Sequence, residues 1–521
     1  MRCFREFPGR TRSLMTVCAA LLAGIVAAGG SPAGAAEIVN TGSGQHFTAL
    51  DEALAAAKPG DALEIAPGTY TGNFTVDRPL TLRAGPGGGD RPVLDAGGEG
   101  TVLTIVAPGV TVEGLSLRNS GKVSTPWTIW GDAAVFVDAD GAILRNLVIS
   151  GNDWGIVLSR GAGSRIEATS IVDNRHDGIK ILGGHDHEVV GNRLERNGTG
   201  IVVDAYYGEG RESPIPAIGD PAALQRLATR KQTAVGAHDL RIAENTVRGN
   251  GTYGIVITWE STRIAVENNE VFNTGRERAL DPEMITALEK DLYAGSGIAA
   301  SLMREHYGSG IALFCLATDN RILANDSHDN LAFGIVLNLV NRNLVSQNEV
   351  AANRMGIVLV TANDNRIEKN HVVGNADFGI RIAVAMAVAQ PSNGNVLTRN
   401  DMEANGVNAF DSSGRALTAD DLAGVLDTLP LPDMVRQQMR SDKRMRDKMA
   451  ASYMKALKTG ANAWDDGTLG NRYADFDEVP EGLLDTDGNG IGEAAHPIPG
   501  GPSIDRHPLD AARVATARKG D

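Results

Sequence analysis

Along the chain an apolar pattern returns at a nearly fixed interval. A Gly-Ile pair stands at Gly155-Ile156, Gly178-Ile179, Gly200-Ile201, Gly254-Ile255, Gly310-Ile311, Gly334-Ile335, Gly356-Ile357 and Gly379-Ile380, with successive steps of 23, 22, 54, 56, 24, 22 and 23 residues. Each long step equals one period plus an insertion of roughly 32 residues. Between the pairs, short alternating runs open with a branched residue, as at Arg165-Ile166, Arg241-Ile242, Arg263-Ile264, Arg321-Ile322 and Arg366-Ile367. Frames of Asn-x4-Asn follow at Asn192/Asn197, Asn245/Asn250, Asn268/Asn273, Asn325/Asn330, Asn348/Asn353, Asn370/Asn375 and Asn400/Asn405. Alternating Ile, Val and Leu predict strands of a few residues with one face inward, and Gly and Asn interrupt them too often for helix. Asn tolerates the left-handed conformation and suits the corners between strands. The pattern therefore predicts an all-β chain, a right-handed parallel β-helix whose coils stack in register and whose corner amides lie one above another. A single coil cannot bury its apolar face alone, so neighbours make the core and both ends need caps.

The remaining segments follow from where the period fails. Phe47, Leu50 and Leu54 share one helical face within residues 46–57, which predicts an N-terminal cap helix ended by Lys58-Pro59-Gly60. The β-helix is expected over residues 37–408, interrupted at about 205–237 and 276–307. These interruptions carry helix-start signals at Asp220-Pro221 and Asp281-Pro282, the second followed by Met284, Ile285, Leu288 and Leu292 on one face. A helical insertion over 409–461, a closing block over 462–510 and a flexible tail over 511–521 complete the expected order. Residues following the Ile of each pair should point outward, yet Val157, Val202, Val256, Ala312, Val336 and Val358 are apolar, against Lys180 and Arg381. That implies a face covered by insertion helices or by a partner, either a polysaccharide or an envelope protein.

Composition narrows the setting. Aromatic residues make up 5% of the chain against 62 glycines, which suits narrow coils filled by aliphatic side chains. The formal net charge is −15, so nucleic acid and anionic lipid are poor partners. Residues 1–36 read as a secretory signal, with basic residues to Arg12, an apolar run from Leu14 to Ala28 and Ala33-Gly34-Ala35 before the cut. A periplasmic or secreted protein is expected, not integral to the membrane after cleavage. Of three cysteines only Cys315 would remain, with no partner for an internal disulfide, and its apolar surroundings suit a buried filler.

The repeat, Ala66-Pro67-Gly68-Thr69-Tyr70 and a specific C-terminal block carry a resemblance. The block runs through Asn462-Ala463-Trp464-Asp465, Gly470-Asn471-Arg472-Tyr473-Ala474-Asp475, Asp485-Thr486-Asp487-Gly488-Asn489-Gly490-Ile491-Gly492 and Asp505-Arg506-His507-Pro508-Leu509. Together these segments resemble the NosD-like β-helix proteins, within the broader class of carbohydrate-binding and sugar-hydrolase β-helices of pectin-lyase-like fold. The resemblance implies a periplasmic protein linked to copper delivery for nitrous oxide reductase, working beside a membrane transporter.

Candidate chemistry falls into three groups. Copper takes imidazole or thioether donors; Met434, Met439, Met445, Met449 and Met454 lie in the third insertion, with Met445 and Met449 one turn apart, and His176, His185 and His187 flank one coil. Calcium is the second candidate ion, because Asp485, Asp487 and Asn489 before Gly490 repeat the first half of a calcium loop. Glu493 stands at the ninth position of that loop, but His496 replaces the usual twelfth-position Glu. The third group belongs to the alternative function, a polysaccharide lyase or C5-epimerase acting on an acidic polymer. It needs a base, a cation for the uronate and a proton donor; Lys180, Asp204, Tyr207, Glu260, His306 and Tyr307 are the candidate catalytic residues, with Tyr206 and Trp259 for substrate binding. A binding or accessory role is the leading reading, since Asp281-Pro282-Glu283 only grazes the Asp-Pro-His-Asp motif of mannuronan epimerases.

Overall fold

Stacked short strands account for nearly all the regular structure of the computed structural model, which describes residues 37–86, 89–122, 131–205, 236–278, 306–384, 390–417 and 441–519. The strands form three long sheets, here A, B and C, of 14, 13 and 12 strands. Every neighbour in B and C is parallel, and A is parallel except at its first edge, where Ile38–Asn40 lies antiparallel between Gln45–Phe47 and Ala62–Ile65. The expected stacking is present residue for residue in sheet C, where Ile156, Ile179, Ile201, Ile255, Ile311, Ile335, Ile357 and Ile380 form one axial row. Register survives the two long insertions: Ile201 pairs with Ile255, and Ile255 with Ile311. Residues 206–235 and 279–305, with the helix-start signals at Asp220 and Asp281, lie outside the described residues, as does the leader.

The Gly of each pair is fixed by close approach. A Cβ on Gly155 would sit 2.2 Å from the Gly178 carbonyl oxygen, and one on Gly356 would sit 2.5 Å from that of Gly379 and 3.0 Å from the Asn375 amide nitrogen. Adjacent coils approach so nearly here that no other residue fits without moving backbone.

Asparagine holds the corners. The central ladder runs Asn192, Asn245, Asn269, Asn325, Asn348, Asn370, Asn400 and Asn471, each side-chain amide donating to the next Oδ1 at 2.8–3.0 Å. Each receiving Oδ1 also takes the backbone N–H of the preceding Asn, as Asn348 does from Asn325 at 2.9 Å. A second ladder links Asn152, Asn174, Asn197 and Asn250 and resumes through Asn330, Asn353, Asn375 and Asn405. A third, absent from the sequence frames, joins Asn320, Asn343, Asn365, Asn395 and Asn462. One frame shifts: Asn269 takes the ladder place expected for Asn268, and Thr274 stands where Asn273 was expected, offering its backbone N–H to Asn330.

The ends differ from expectation in detail. Helix α1 spans only Leu50–Ala56 and buries Leu50, Ala53 and Leu54, because Phe47 is taken into the antiparallel edge strand. Ala409–Asp411 adds a last strand to sheet C, carrying the β-helix just past its expected limit. Helix α2 (Lys443–Thr459) is the described part of the third insertion, and Arg472–Tyr473 extends sheet B from within the closing block. The supposed flexible tail forms helix α3 over Ala511–Lys519, with Val514 buried. The outer apolar row is already covered: Val157, Val202, Val256, Ala312, Val336 and Val358 are 0–7% exposed. Most of them pack with Tyr253, Tyr307, Phe314, Phe333 and Met355 in a second core outside the coil. The expected cover is therefore supplied within the chain itself at these residues.

Asn348→Ala should destabilise the protein by about 2–4 kcal/mol, since it strands the donors of Asn325 and removes the bond to the Ile322 carbonyl. Asn273→Ala, outside the ladders and half-buried at a left-handed φ of 56°, should cost less, about 1 kcal/mol, through backbone strain and the lost bond to Glu277. Urea unfolding midpoints of the two variants check the contrast.

Candidate functional site

The outward face of the first coils in sheet C holds a buried ionic group. Lys180 lies on the strand Asp177–Leu182, and its Nζ is 3.5 Å from Asp177 Oδ2 and 4.0 Å from Asp204 Oδ2. Asp204 follows from the next strand, where the Ala205 N–H donates to Oδ1 at 2.7 Å and the Thr258 hydroxyl at 3.1 Å. Side-chain exposures are 7% for Asp177, 12% for Lys180 and 16% for Asp204. Burial pushes both carboxyls above the ordinary range, against the pull of the Lys180 ammonium. One ammonium thus faces two buried carboxyls. Beside it, Lys180 sits 5.4 Å from the Trp154 ring, on which His176 stacks at 4.8 Å. Arg175 Nη1 and His176 Nε2 each lie 3.6 Å from Asp153 Oδ1, a carboxylate with no exposed surface.

Lys180 and Asp204 are thus brought together, and Asp177, Trp154 and His176 join them. Trp259 and Glu260 occupy the corner after the strand Tyr253–Ile257, both at positive φ. The Glu260 N–H reaches the Cys315 carbonyl, linking this corner to the Asp204 end of the sheet. Cys315 is half-buried against the second core, and burial pushes its thiol up to about 12, with Asp204 adding to the effect. His306 and Tyr307 enter the second core instead. His306 meets Phe314 and Phe333 edge-on at 5.6 and 5.2 Å, its Nε2 lies 3.1 Å from the Asn338 amide nitrogen, and burial lowers its pKa to about 4. Tyr307 packs edge-on to Tyr253 at 5.8 Å. Tyr206 and Tyr207 lie outside the described residues.

The proposed ion ligands divide similarly. Ligand oxygens of Asp485, Asp487 and Glu493 lie within 4.8 Å of one another, an arrangement of the donor type calcium takes. The loop also closes on itself. Asp485 accepts the N–H groups of Gly488 and Gly490 at 2.8 and 2.9 Å, Glu493 accepts the Thr486 hydroxyl at 2.7 Å, and Asn489 donates to Asp487 and accepts from Ile491. His496 packs at a tilt against Tyr473 and Phe476, with ring centroids 4.2 and 4.5 Å away. Met434 and Met439 lie outside the described residues. Met445 and Met449 fall in α2, and their side chains are likewise outside the description.

Imidazoles offer the other copper donors. His187 turns inward, its Nδ1 taking the Ser164 N–H at 3.1 Å, and burial lowers its pKa to about 4. His185 stays at the surface and stacks on His238 of the next coil, ring centroids 5.0 Å apart. On sheet B, Glu270, Asp326, Glu349, His371, Asp401 and Arg472 form one axial row. His371 bonds Glu349 and faces Glu403, while Arg472 Nη1 spans Asp401 and Glu403 at 2.7 and 3.0 Å. Sequence reasoning missed these rows because their members stand 22–71 residues apart; the signal was available once Ile-to-Ile register was used to align every other position.

Comparison with known proteins places this architecture. Residues 107–301 match the right handed beta helix region family, and residues 294–419 match the family described as periplasmic copper-binding protein (NosD). A probable ABC transporter binding protein NosD of Pseudomonas aeruginosa is 38% identical over 170 residues, 29% of this chain and 38% of that protein. Its namesake in Stutzerimonas stutzeri is 31% identical over 143 residues, covering 27% and 28%. The matches therefore span well under half the length of both relatives. Among solved structures, the periplasmic alginate epimerase AlgG is similar (15% identity, TM-score 0.40, 67% of this chain and 81% of that one). The mannuronan C-5 epimerase AlgE6 A-module of Azotobacter vinelandii is another (15%, TM-score 0.40, 69% and 90%). The chain is a right-handed β-helix that is similar to NosD proteins over part of its length, and no described helix is long and apolar enough to cross a membrane.

The buried trio sets a pH dependence. Asp177 and Asp204 have folded pKa values above the unfolded value of about 4, so their contribution is complete below that pH and is lost as pH rises toward the raised values. Asp204→Asn should flatten the loss of stability above about pH 4. Lys180→Met should cost about 3–5 kcal/mol at neutral pH and less near pH 4, because it leaves two buried carboxylates without their cation. Unfolding midpoints across that pH range, compared among the three proteins, check both signs.

Proposed function

We propose that this protein acts in the bacterial envelope as a NosD-like accessory binding protein, serving copper-enzyme maturation beside a membrane transporter, and that it does not itself modify a polysaccharide. The observation that carries this reading is the state of the candidate catalytic groups. An enzyme acting on a uronate needs a free base and an unoccupied cation facing a groove. Here Lys180 is committed to Asp177 and Asp204 beneath the surface, and His306 is buried among aromatic rings. The copper context is supported by the match over residues 294–419 and by relatives named as transporter binding proteins. Imidazole and carboxylate side chains of the described residues are of the type Cu(II) takes. The apolar run Leu14–Ala28 with Ala33-Gly34-Ala35 would supply export. The alternative, a lyase or C5-epimerase, draws support from two carboxyls, Asp177 and Asp204, raised by burial beside Lys180, Trp154 and His176.

Purified mature protein mixed with a uronate polymer should yield no unsaturated product absorbing in the ultraviolet and no proton exchange at C5 in heavy water. Cells lacking the gene should make nitrous oxide reductase that is poor in copper, restored by the wild-type gene. Sugar turnover that disappears with Lys180→Met would instead establish the enzyme reading.

A further inference from the structure

We propose that helix α2 (Lys443–Thr459) is an electrostatic docking surface for anionic phospholipid, holding the C-terminal end of the β-helix against a bilayer. Its 17 residues include six Lys and Arg against one acidic residue, Asp447. The chain as a whole has a formal net charge of −15, which argues against anionic lipid for the rod overall, and α2 reverses the sign locally. Helical geometry gathers the excess on one side. At 3.6 residues per turn, Arg444, Lys448, Lys455 and Lys458 fall within about 80° of the circumference and form a stripe about 21 Å long. All four are exposed, and none is ion-paired to another described residue. The opposite side carries Tyr453, Ala456 and Leu457, which pack with Val384 and Leu417 beside the last strands of sheet C. Gly414 donates its N–H to the Leu457 carbonyl at 2.6 Å, a further tie between helix and rod. The helix is thus anchored by its apolar side, with the basic side turned outward.

Neither the rod nor the helix itself accounts for these cations. At the corners of the β-helix, guanidiniums meet a carboxylate one coil away, as Arg160 meets Asp138, Arg196 Asp173, Arg342 Asp319 and Arg354 Asp377 at 2.7–2.9 Å. The stripe on α2 has no such partners among the described residues. Asp442 caps the helix by accepting the Arg444 N–H at 3.0 Å, yet the first turn holds Lys443 and Arg444 and no acidic residue. The positive end of the helix dipole disfavours cations there, so they cost the helix stability rather than adding to it. Burial raises the Tyr453 hydroxyl above its ordinary value, and the Arg381 and Arg415 guanidiniums oppose that rise, so two more cations lie within electrostatic reach of the helix. A plane of phosphate headgroups supplies what the stripe lacks, a row of anions that several parallel cations meet at once. Because the apolar side is already used within the chain, the attraction is electrostatic and screened by salt. The acidic remainder of the rod is repelled by the same surface, which orients the molecule with α2 toward the bilayer.

This assignment goes beyond the maturation reading and does not rest on it. The test uses untagged full-length mature protein, sedimented with vesicles of phosphatidylcholine alone or mixed about two to one with phosphatidylglycerol. The protein should partition onto the mixed vesicles at low salt, stay free of the neutral ones and be released as salt rises. Arg444→Gln, Lys448→Gln, Lys455→Gln and Lys458→Gln combined should lower partitioning about a hundredfold or more. The thermal midpoint should be unchanged, since Gln is a good helix former at exposed positions. Arg160→Gln, Arg196→Gln, Arg342→Gln and Arg354→Gln combined remove the same charge from the corners and should change partitioning by less than about threefold. Equal loss in the two variants means that net charge governs attachment and overturns the docking surface. Binding that ignores lipid charge, or that survives the α2 variant, overturns it too. Wild-type protein that stays free of the mixed vesicles at low salt also overturns it, leaving the stripe to an acidic protein face. Copper-enzyme maturation can hold in each of these cases, so the two readings fail separately.

Discussion

Everything in this fold depends on hydrogen bonds that run along the axis rather than around the coil. Each ladder amide donates toward the C-terminus, so its dipole adds to those before it, and the last donor in each line needs an acceptor that no further coil provides. The chain supplies carboxylates there. Asn471 gives its backbone N–H to Asp505 at 2.7 Å, Asn462 reaches Asp411 at 3.4 Å, and the second ladder passes through Asn408 to Asp475 at 2.6 Å. Asp411 is held in place by Trp464 and Ser503, and Asp505 by Tyr473, all within the closing block. The block from 462 onward is therefore the electrical as well as the steric end of the β-helix. Burial pushes Asp505 up to about 7 despite its several donors, a measure of how far from water the last acceptor lies.

The same close stacking decides which positions can carry chemistry. Inward positions are filled by Ile, Val and Leu, corner positions by Asn, and the approach at each Gly-Ile pair by Gly alone. What remains is the outward face and the loops between strands. Because pairing is parallel and in register, an outward residue meets its equivalents one coil before and one coil after, and any reactive group must be assembled from such rows or from their corners. An insertion at a corner lengthens the sequence between neighbours without altering who they are, as Ile201 and Ile255 demonstrate.

This explains what could be read from the sequence. The β-helix, its period and the role of Asn were legible because each coil repeats the same local rule, so one correct register predicts the rest. Misreadings occurred where a single residue shifts the pattern. Asn268 and Asn273 fit the spacing, yet Asn269 and Thr274 occupy the ladder positions, because the period counts residues and the ladder counts coils. The third ladder escaped notice although Asn320, Asn343, Asn365 and Asn395 each stand five residues before an Asn of the central ladder, the same spacing that marks the other frames. Site chemistry was less legible for a related reason. His185 with His187 looks like a pair in sequence, but alternation sends His187 inward, and the partner of His185 is one coil away at His238.

Lys180 shows how such departures can be weighed. Its neighbours along sheet C are Val157 and Val202, with Val256, Ala312, Val336 and Val358 further on before Arg381, so the fold accepts a small aliphatic side chain at both adjoining coils. An ammonium at that position costs desolvation that a valine would avoid, and it is tolerated only because Asp177 and Asp204 stand beside it. Those carboxylates pay a desolvation penalty of their own, visible in their raised pKa values. Three buried ionisable groups in place of three apolar ones are a poor way to stabilise a solenoid. The stability of the rod resides in its regular rows, and the places where a row breaks its own rule, at Lys180, at His185 with His238 and at His371, are where physical economy leaves room for a function to have been written.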